Sequence, residues 1–465
     1  MDTDHITARL GELFSHHRWI LLSDVSAHTQ PVIDQLREWG GSEFLVVAGQ
    51  TGVGDQPEVE VVHMPSPPGT VMEGFRRFAA RVWDPPPEVR RAVDRFDQDG
   101  TARVIGPQFG TPTVFLGRRL YGARPEEWEA LEDKTKVDAI WDEAGVARAP
   151  SVVVELDAAV SAAADLAGDM GTVWAADNTE GWHGGGEYVR WVGDVGTAAR
   201  TVEELRGKAH RVRVMPFLDG IPCSIHGVVT PDGVAALRPV ELLILRKRNR
   251  TGFVYAGVAD TWDPPLTVRD EMRSAARSVG EVLRRISGHR GPFSIDGVAT
   301  TEGFRPTELN PRSSVGYGIQ AGTVPELLGS FFVRALVEGD LDVPARWLEE
   351  LIVTSADASR VIRMGVPVTG SFLPAVLKLA AADGAVTVDP DGDTLEIGPS
   401  PTGSFMLWRV DAARIPPGAP FGDYAAQAVA LAVDHWNVPI ASVVSAVDVS
   451  TDGTRSSSSQ PPGDQ

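Results

Sequence analysis

The chain has 465 residues, with 43 Lys and Arg against 63 Asp and Glu, a formal charge of −20, and 43% hydrophobic residues. At roughly 100–200 residues per domain, that length predicts about three domains with ample buried core. The acid excess argues against duplex nucleic acid or an anionic membrane as partner, since both need Lys/Arg patches; a small anionic ligand stays compatible with it, because a few local cations outweigh a distant surface.

The single cysteine, Cys223, rules out an intramolecular disulfide and reads as packing within Ile221-Pro222-Cys223-Ser224-Ile225. No run of about 18 apolar residues predicts a membrane span. Asp2, Asp4 and His5 do not form a basic-then-apolar leader, so the expected location is cytoplasmic.

Alternating strand and helix signals open the chain. Trp19-Ile20-Leu21-Leu22 reads as a strand, a helix follows through Val32, Leu36 and Trp39, and Phe44-Leu45-Val46-Val47 reads as a second strand. Such repetition predicts a parallel α/β layer, with ligand sites beyond the strand ends near Ser23–Ser26 or Gly49–Gly54. Thr51-Gly52-Val53-Gly54 is too short for a dinucleotide fingerprint and reads as a turn. Pro65–Pro68 and Pro85–Pro87 punctuate loops.

From Pro125 one helix is predicted through Leu131, Ile140 and Trp141, ending at Gly145. A longer amphipathic helix is predicted over Val268–Ile286, stopped by Gly288. An α+β segment follows from about 350 to 448, and the Ser/Pro/Gly-rich end, 451–465, reads as a disordered tail.

The most informative segment is Phe293-Ser294-Ile295-Asp296-Gly297-Val298, followed by Arg305-Pro306-Thr307-Glu308-Leu309-Asn310-Pro311-Arg312. It reads as two strands joined by a turn at Thr301-Glu302-Gly303. A three-residue loop pairs Thr300 with Phe304 and sets Asp296 opposite Glu308, with Cβ atoms about 4.5–5.5 Å apart. Asn310 shares the face of Glu308. Two opposed carboxylates and an amide suit a hard divalent cation such as Mg²⁺, and Arg312 could grip a phosphoryl oxygen. The plainer alternative is a hairpin with solvated acids on its polar face.

This segment resembles the metal-binding hairpin of the ATP-grasp superfamily, an Asp followed by Glu-x-Asn-x-Arg. Other segments resemble that family in order: Glu132-Asp133-Lys134 with Ala144-Gly145-Val146; Asn178-Thr179-Glu180-Gly181-Trp182-His183-Gly184-Gly185-Gly186 after a short strand; and Val212-Arg213-Val214-Met215-Pro216-Phe217-Leu218-Asp219-Gly220. The resemblance implies that Asp296, Glu308 and Asn310 hold Mg²⁺ (Mn²⁺ as an alternative), and that Lys134 and the loop glycines Gly184, Gly185 and Gly186 hold ATP phosphates. It also implies that Met215, Phe217 and Leu218 meet the adenine and that Arg312 is the catalytic cation at the transferred phosphoryl group. The run Arg246-Lys247-Arg248-Asn249-Arg250 is either a solvated loop or a further source of cations.

The fold implied is a Rossmann-like pre-ATP-grasp α/β domain (1–115), a two-subdomain ATP-grasp domain (116–345), a C-terminal α+β appendix (346–450) and the tail (451–465). The activity implied is amide or peptide bond formation from a small-molecule carboxylate and an amine through an acyl phosphate, with no nucleic-acid or membrane partner and a homo-oligomer left open. Two departures motivate an alternative, an ATP-binding protein of weakened catalysis with a regulatory role. Trp174-Ala175-Ala176-Asp177 lacks the second phosphate-binding Lys common in the family, and Pro222 stands near the place of a ribose-binding acid. Trp174-Ala175-Ala176-Asp177 with Gly184-Gly185-Gly186 also resembles pheganomycin-type peptide ligases of that superfamily.

Overall fold

A computed structural model describes residues 2–52, 54–65, 71–107, 110, 112–177, 184, 186–249, 251–367, 376–399, 405–438, 440 and 442–446. The expectations for 178–183 and Gly185 in the glycine-rich loop, for Val53, for 66–68, for Arg250 and for the tail lie outside these residues.

Near the N-terminus, among the described residues, four strands form a parallel sheet in the order Glu60–His63, Phe44–Gln50, Trp19–Val25, Arg103–Ile105. Strands buried on both faces read as unbroken apolar runs, which is why Trp19–Leu22 and Phe44–Val47 show no alternation. Ile20, Leu22, Leu45 and Val47 pack on Phe78, Val82, Val89 and Val93 of the helices Val71–Trp83 and Pro87–Phe96. The opposite faces of Trp19, Leu21, Phe44 and Val46 share a core with Phe331 and Phe332 of the helix Gly329–Glu338, fastening this layer to the rest.

A second, antiparallel sheet runs Val152–Glu155, Arg211–Pro216, Thr172–Ala176, Val189–Val192, and the helices Ala159–Leu166 and Val195–Leu205 pack against it. The third sheet runs Gly303–Asn310, Gly291–Thr300, Ile221–Thr230, Val240–Lys247, Phe253–Ala259, and continues through Ile362–Pro367, Phe405–Val410, Leu395–Pro399, Leu377–Ala382 and Ala385–Val388. Strands from the C-terminal third thus extend the central sheet by direct hydrogen bonding. The helix Leu266–Ser287 backs this sheet, with Met272, Ala276, Val279 and Leu283 on Ile225, Phe293 and Ile295. Gly288, at φ 63, ends it in the left-handed conformation that favours glycine. Ile286, expected on its apolar face, is exposed.

Two local expectations need correction. The segment from Pro125 is not one helix: Glu126–Glu129 and a 3-10 turn, Ala130–Glu132, are separated from Val137–Glu143. The Asp133 carboxylate accepts from the Thr135 N–H (2.9 Å) and hydroxyl (2.7 Å), and this local turn competes with the helical ladder. The hairpin turn is also shorter than expected. Thr300 pairs with Gly303, not Phe304, and a bulge at Thr307 restores the register so that Asp296 still lies opposite Glu308.

No helix among the described residues is long and apolar enough to cross a membrane.

Candidate active site

The antiparallel sheet of residues 152–216 and the central sheet enclose one cavity of about 440 Å³ between them. Lys134, Gly184, Gly186, Met215, Phe217, Leu218, Asp296, Glu308, Asn310 and Arg312 all line it. Every expected site residue that is described therefore faces one space. Gly185 lies outside the described residues.

The break after Ala130–Glu132 carries Lys134 out of the helical path, and its Nζ donates to Glu308 Oε1 at 2.9 Å. Opposite, Asp296 accepts from Ser224 Oγ at 2.7 Å and from Asn310 Nδ2 at 3.1 Å. Burial, and then the facing Glu308 charge, push Asp296 up to about 7. Arg312 donates to Asn310 Oδ1 (2.9 Å) and to Glu132 Oε1 (3.1 Å). Burial alone would raise Glu132, but Arg312 and Arg124, which also bonds it, hold it below the ordinary carboxylate range. Glu132 thus serves as an anchor that orients Arg312 from behind.

Among the described residues no group of three or more His, Cys, Asp and Glu side chains is placed to hold a metal. The hairpin instead offers two opposed carboxylates and an amide, all hard oxygen donors. That set fits Mg²⁺, which is commonly held by one or two carboxylates together with waters and substrate phosphates.

At the other end, Phe217 stacks on Trp191 (centroids 4.6 Å apart), and the Arg246 guanidinium lies 4.9 Å from the Phe217 centroid. Arg246 is also paired with Asp219 at 2.8 Å, so this member of the cationic run is a buried part of the cavity wall. The Phe217 N–H donates to Gly171 O at 3.0 Å, which commits it to the sheet rather than to a ligand edge. The ring remains an apolar surface on the cavity.

No protein-family model and no curated protein matches the chain. Solved structures do. The biotin carboxylase–β,γ-ATP complex from Campylobacter jejuni superposes with a TM-score of 0.52 at 12% identity, over 93% of this chain and 94% of that one. Carboxyaminoimidazole ribonucleotide synthase from Aspergillus clavatus, complexed with ATP, does so with a TM-score of 0.50 at 12% identity, over 90% of this chain and 99% of that one. The chain has the ATP-grasp fold.

Within this ATP-grasp fold, several cavity residues were not singled out from sequence. Ser224 and His226 alternate with Pro222 on Ile221–Thr230, so all three share one face; that spacing was a usable signal. Burial pushes His226 down to about 3 and keeps its imidazole neutral. Tyr255 joins from the neighbouring strand pair, and Met72 reaches in from the N-terminal layer. Ala175 lines the cavity near the place where a second Lys was sought, while Asp177 is buried and accepts from the His210 and Arg211 N–H groups. Cys223 is fully buried, and burial raises its thiol well above the ordinary range, which fits packing rather than nucleophilic chemistry.

Proposed function

We propose that the chain is an ATP-dependent ligase that joins a carboxylate to an amine through an acyl phosphate. The observation that carries this reading is the convergence of Lys134, Arg312 and the Asp296–Glu308–Asn310 set on one cavity whose other end is the apolar Met215–Leu218 segment. A carboxylate oxygen attacks the γ-phosphorus of ATP, the bond to the β-phosphate oxygen breaks, and ADP leaves. The amine then attacks the acyl carbon, its C–O bond to phosphate breaks, and phosphate departs while the nitrogen gives up a proton.

Such transfer depends mostly on positioning and charge neutralisation, so cations rather than a protein nucleophile carry it. Lys134 and Arg312 would neutralise the transferred phosphoryl group, with Gly184 and Gly186 beside the phosphates. Met215, Phe217 and Leu218 would take the adenine. Asp296, Glu308 and Asn310 would hold Mg²⁺, which supplies Lewis-acid charge neutralisation at the phosphates when bound.

The domain reading that goes with this function is a pre-grasp layer over 1–115, the grasp core over 116–345 and an appendix over 346–450. An ATP-binding protein of weakened catalysis is the competing reading, and the aliphatic Ala175 on the cavity wall favours it. Phosphate and ADP release with MgATP separates the two. Release that needs both a carboxylate and an amine is expected; ATP binding with no substrate-dependent ADP overturns the ligase reading.

A further inference from the structure

We infer that the acid accepted by this site has an apolar body, branched aliphatic or aromatic, and no second charge. The inference rests on the ligase reading above. It comes from the cavity floor beyond the Asp296 hairpin, where Leu242, Ile244, Tyr255 and Val258 line the space together.

Val240–Lys247 presents its two faces differently. Leu243 and Leu245 are buried in the C-terminal core, while Leu242 and Ile244 are only half-buried and look into the cavity. The neighbouring strand would ordinarily turn Tyr255 and Val258 to opposite faces, since they are three residues apart. A bulge prevents this: Ile244 pairs with Tyr255 and Leu242 with Val258, so Ala256 and Gly257 together oppose Leu243. Bulges re-aim side chains in this way beside functional sites. Gly257 makes the bulge feasible, with φ 127 and a Cβ position only 2.0 Å from Arg363 O. The re-aimed pair completes an apolar floor.

That floor begins two strand spacings, about 10 Å, from the strand of Asp296. Tyr255 still lies close enough to sense the Asp296 and Arg312 charges. Among the described lining residues, charge is confined to Lys134, Asp296, Glu308 and Arg312 at one pole and to Arg246, paired with Asp219, at the other. A carboxylate held at the first pole extends its body over the floor. A second charge on that body would be desolvated there, because the cation next along the strand, Arg246, is already committed to Asp219.

The test uses the full chain with MgATP and hydroxylamine, which traps an acyl phosphate as a hydroxamate with release of phosphate. The acids are 4-methylpentanoate, 3-phenylpropanoate, glutarate and 5-aminopentanoate. One methylene in such a pocket is worth about 10–200-fold in selectivity, so kcat/KM for the two apolar acids should exceed that of the charged pair at least ~10-fold. Leu242→Arg should shift the preference toward glutarate, with ATP binding retained as a check on folding. Hydroxamate formed equally well or better from the charged acids overturns the inference and leaves the ligase reading standing. A protein that binds MgATP yet forms neither hydroxamate nor ADP with any of the four removes both.

Discussion

Lys134 Nζ lies 2.9 Å from Glu308 Oε1, joining a cation on the turn after residue 132 to the acidic hairpin 174 residues later in the chain. The pair is nearly shut off from solvent on the Lys134 side. Removing Glu308 therefore has two opposing effects. Lys134 loses its nearest counter-charge, while Asp296, which also feels Lys134, loses the like charge that helps to raise it. In Glu308→Gln the amide still accepts from Lys134, so the fold should hold, with Tm within a few degrees. Substrate-dependent ADP release should fall at least ~100-fold, as removal of a key charge-stabilising group does. Full retained activity would sink the metal assignment.

Arg76, on the helix Val71–Trp83, makes a two-point bridge to Glu187, Nη1–Oε2 at 2.5 Å and Nη2–Oε1 at 2.8 Å. Glu187 follows Gly186, and its N–H donates to Gly184 O, so the bridge ties the N-terminal layer to the glycines on the cavity. Both side chains are about a quarter exposed, which puts the coupling near ~1 kcal/mol. Arg76→Ala and Glu187→Gln should each raise KM for ATP several-fold with little change in Tm. The charge-swapped double variant should recover part of the loss in a double-mutant cycle. Strict additivity would show that the two residues act separately.

Much of the site was legible because its signals are local. Glu308 and Asn310 alternate on one strand, Arg312 follows just past its end, and a short turn brings Asp296 opposite Glu308. The expected register holds although the turn is tighter than the spacing predicts, because the bulge at Thr307 adds back the residue that the tighter turn removes. Neither the tighter turn nor its compensation leaves a mark in side-chain spacing. Ser224, His226, Leu242 and Tyr255 were harder to see. Their convergence depends on strand pairings such as Ser224 with Asp296, 72 residues apart, and on the bulge at Ala256–Gly257. The anchoring of Arg312 by Glu132 depends likewise on a contact 180 residues apart.

His226 and His289 both titrate well below an ordinary imidazole, each pushed down to about 3 by burial. Below pH ~6.5 the unfolded chain binds protons on both rings and the folded chain does not. Stability therefore rises with pH between about 3 and 6.5, and is lost as pH falls through that window. At pH 5 each ring accounts for roughly 2 kcal/mol by linkage. His289→Phe can keep the packing on Trp128, whose ring centroid is 4.4 Å away, while removing one titrating group. Its Tm relative to the parent should improve steadily from pH 7 to pH 5. An offset independent of pH would show that His289 is not neutral in the folded chain.

Gly257 offers a test of the apolar floor that leaves the phosphate end untouched. Its φ of 127 lies where L side chains are strained, and an added Cβ would meet Arg363 O at 2.0 Å on the neighbouring strand. Strain of this kind costs on the order of 1–3 kcal/mol before the clash is counted. Gly257→Ala should therefore lower Tm by several degrees and pry Phe253–Ala259 from Ile362–Pro367. If the bulge relaxes, Val258 turns away from the cavity while Tyr255 stays. The preference for 3-phenylpropanoate over glutarate should then shrink toward unity, with ATP binding, whose proposed phosphate and metal contacts lie on other segments, changed less than threefold. A lower Tm with the preference intact would mean that the bulge serves the sheet alone and that Leu242 and Ile244 suffice to select the acid.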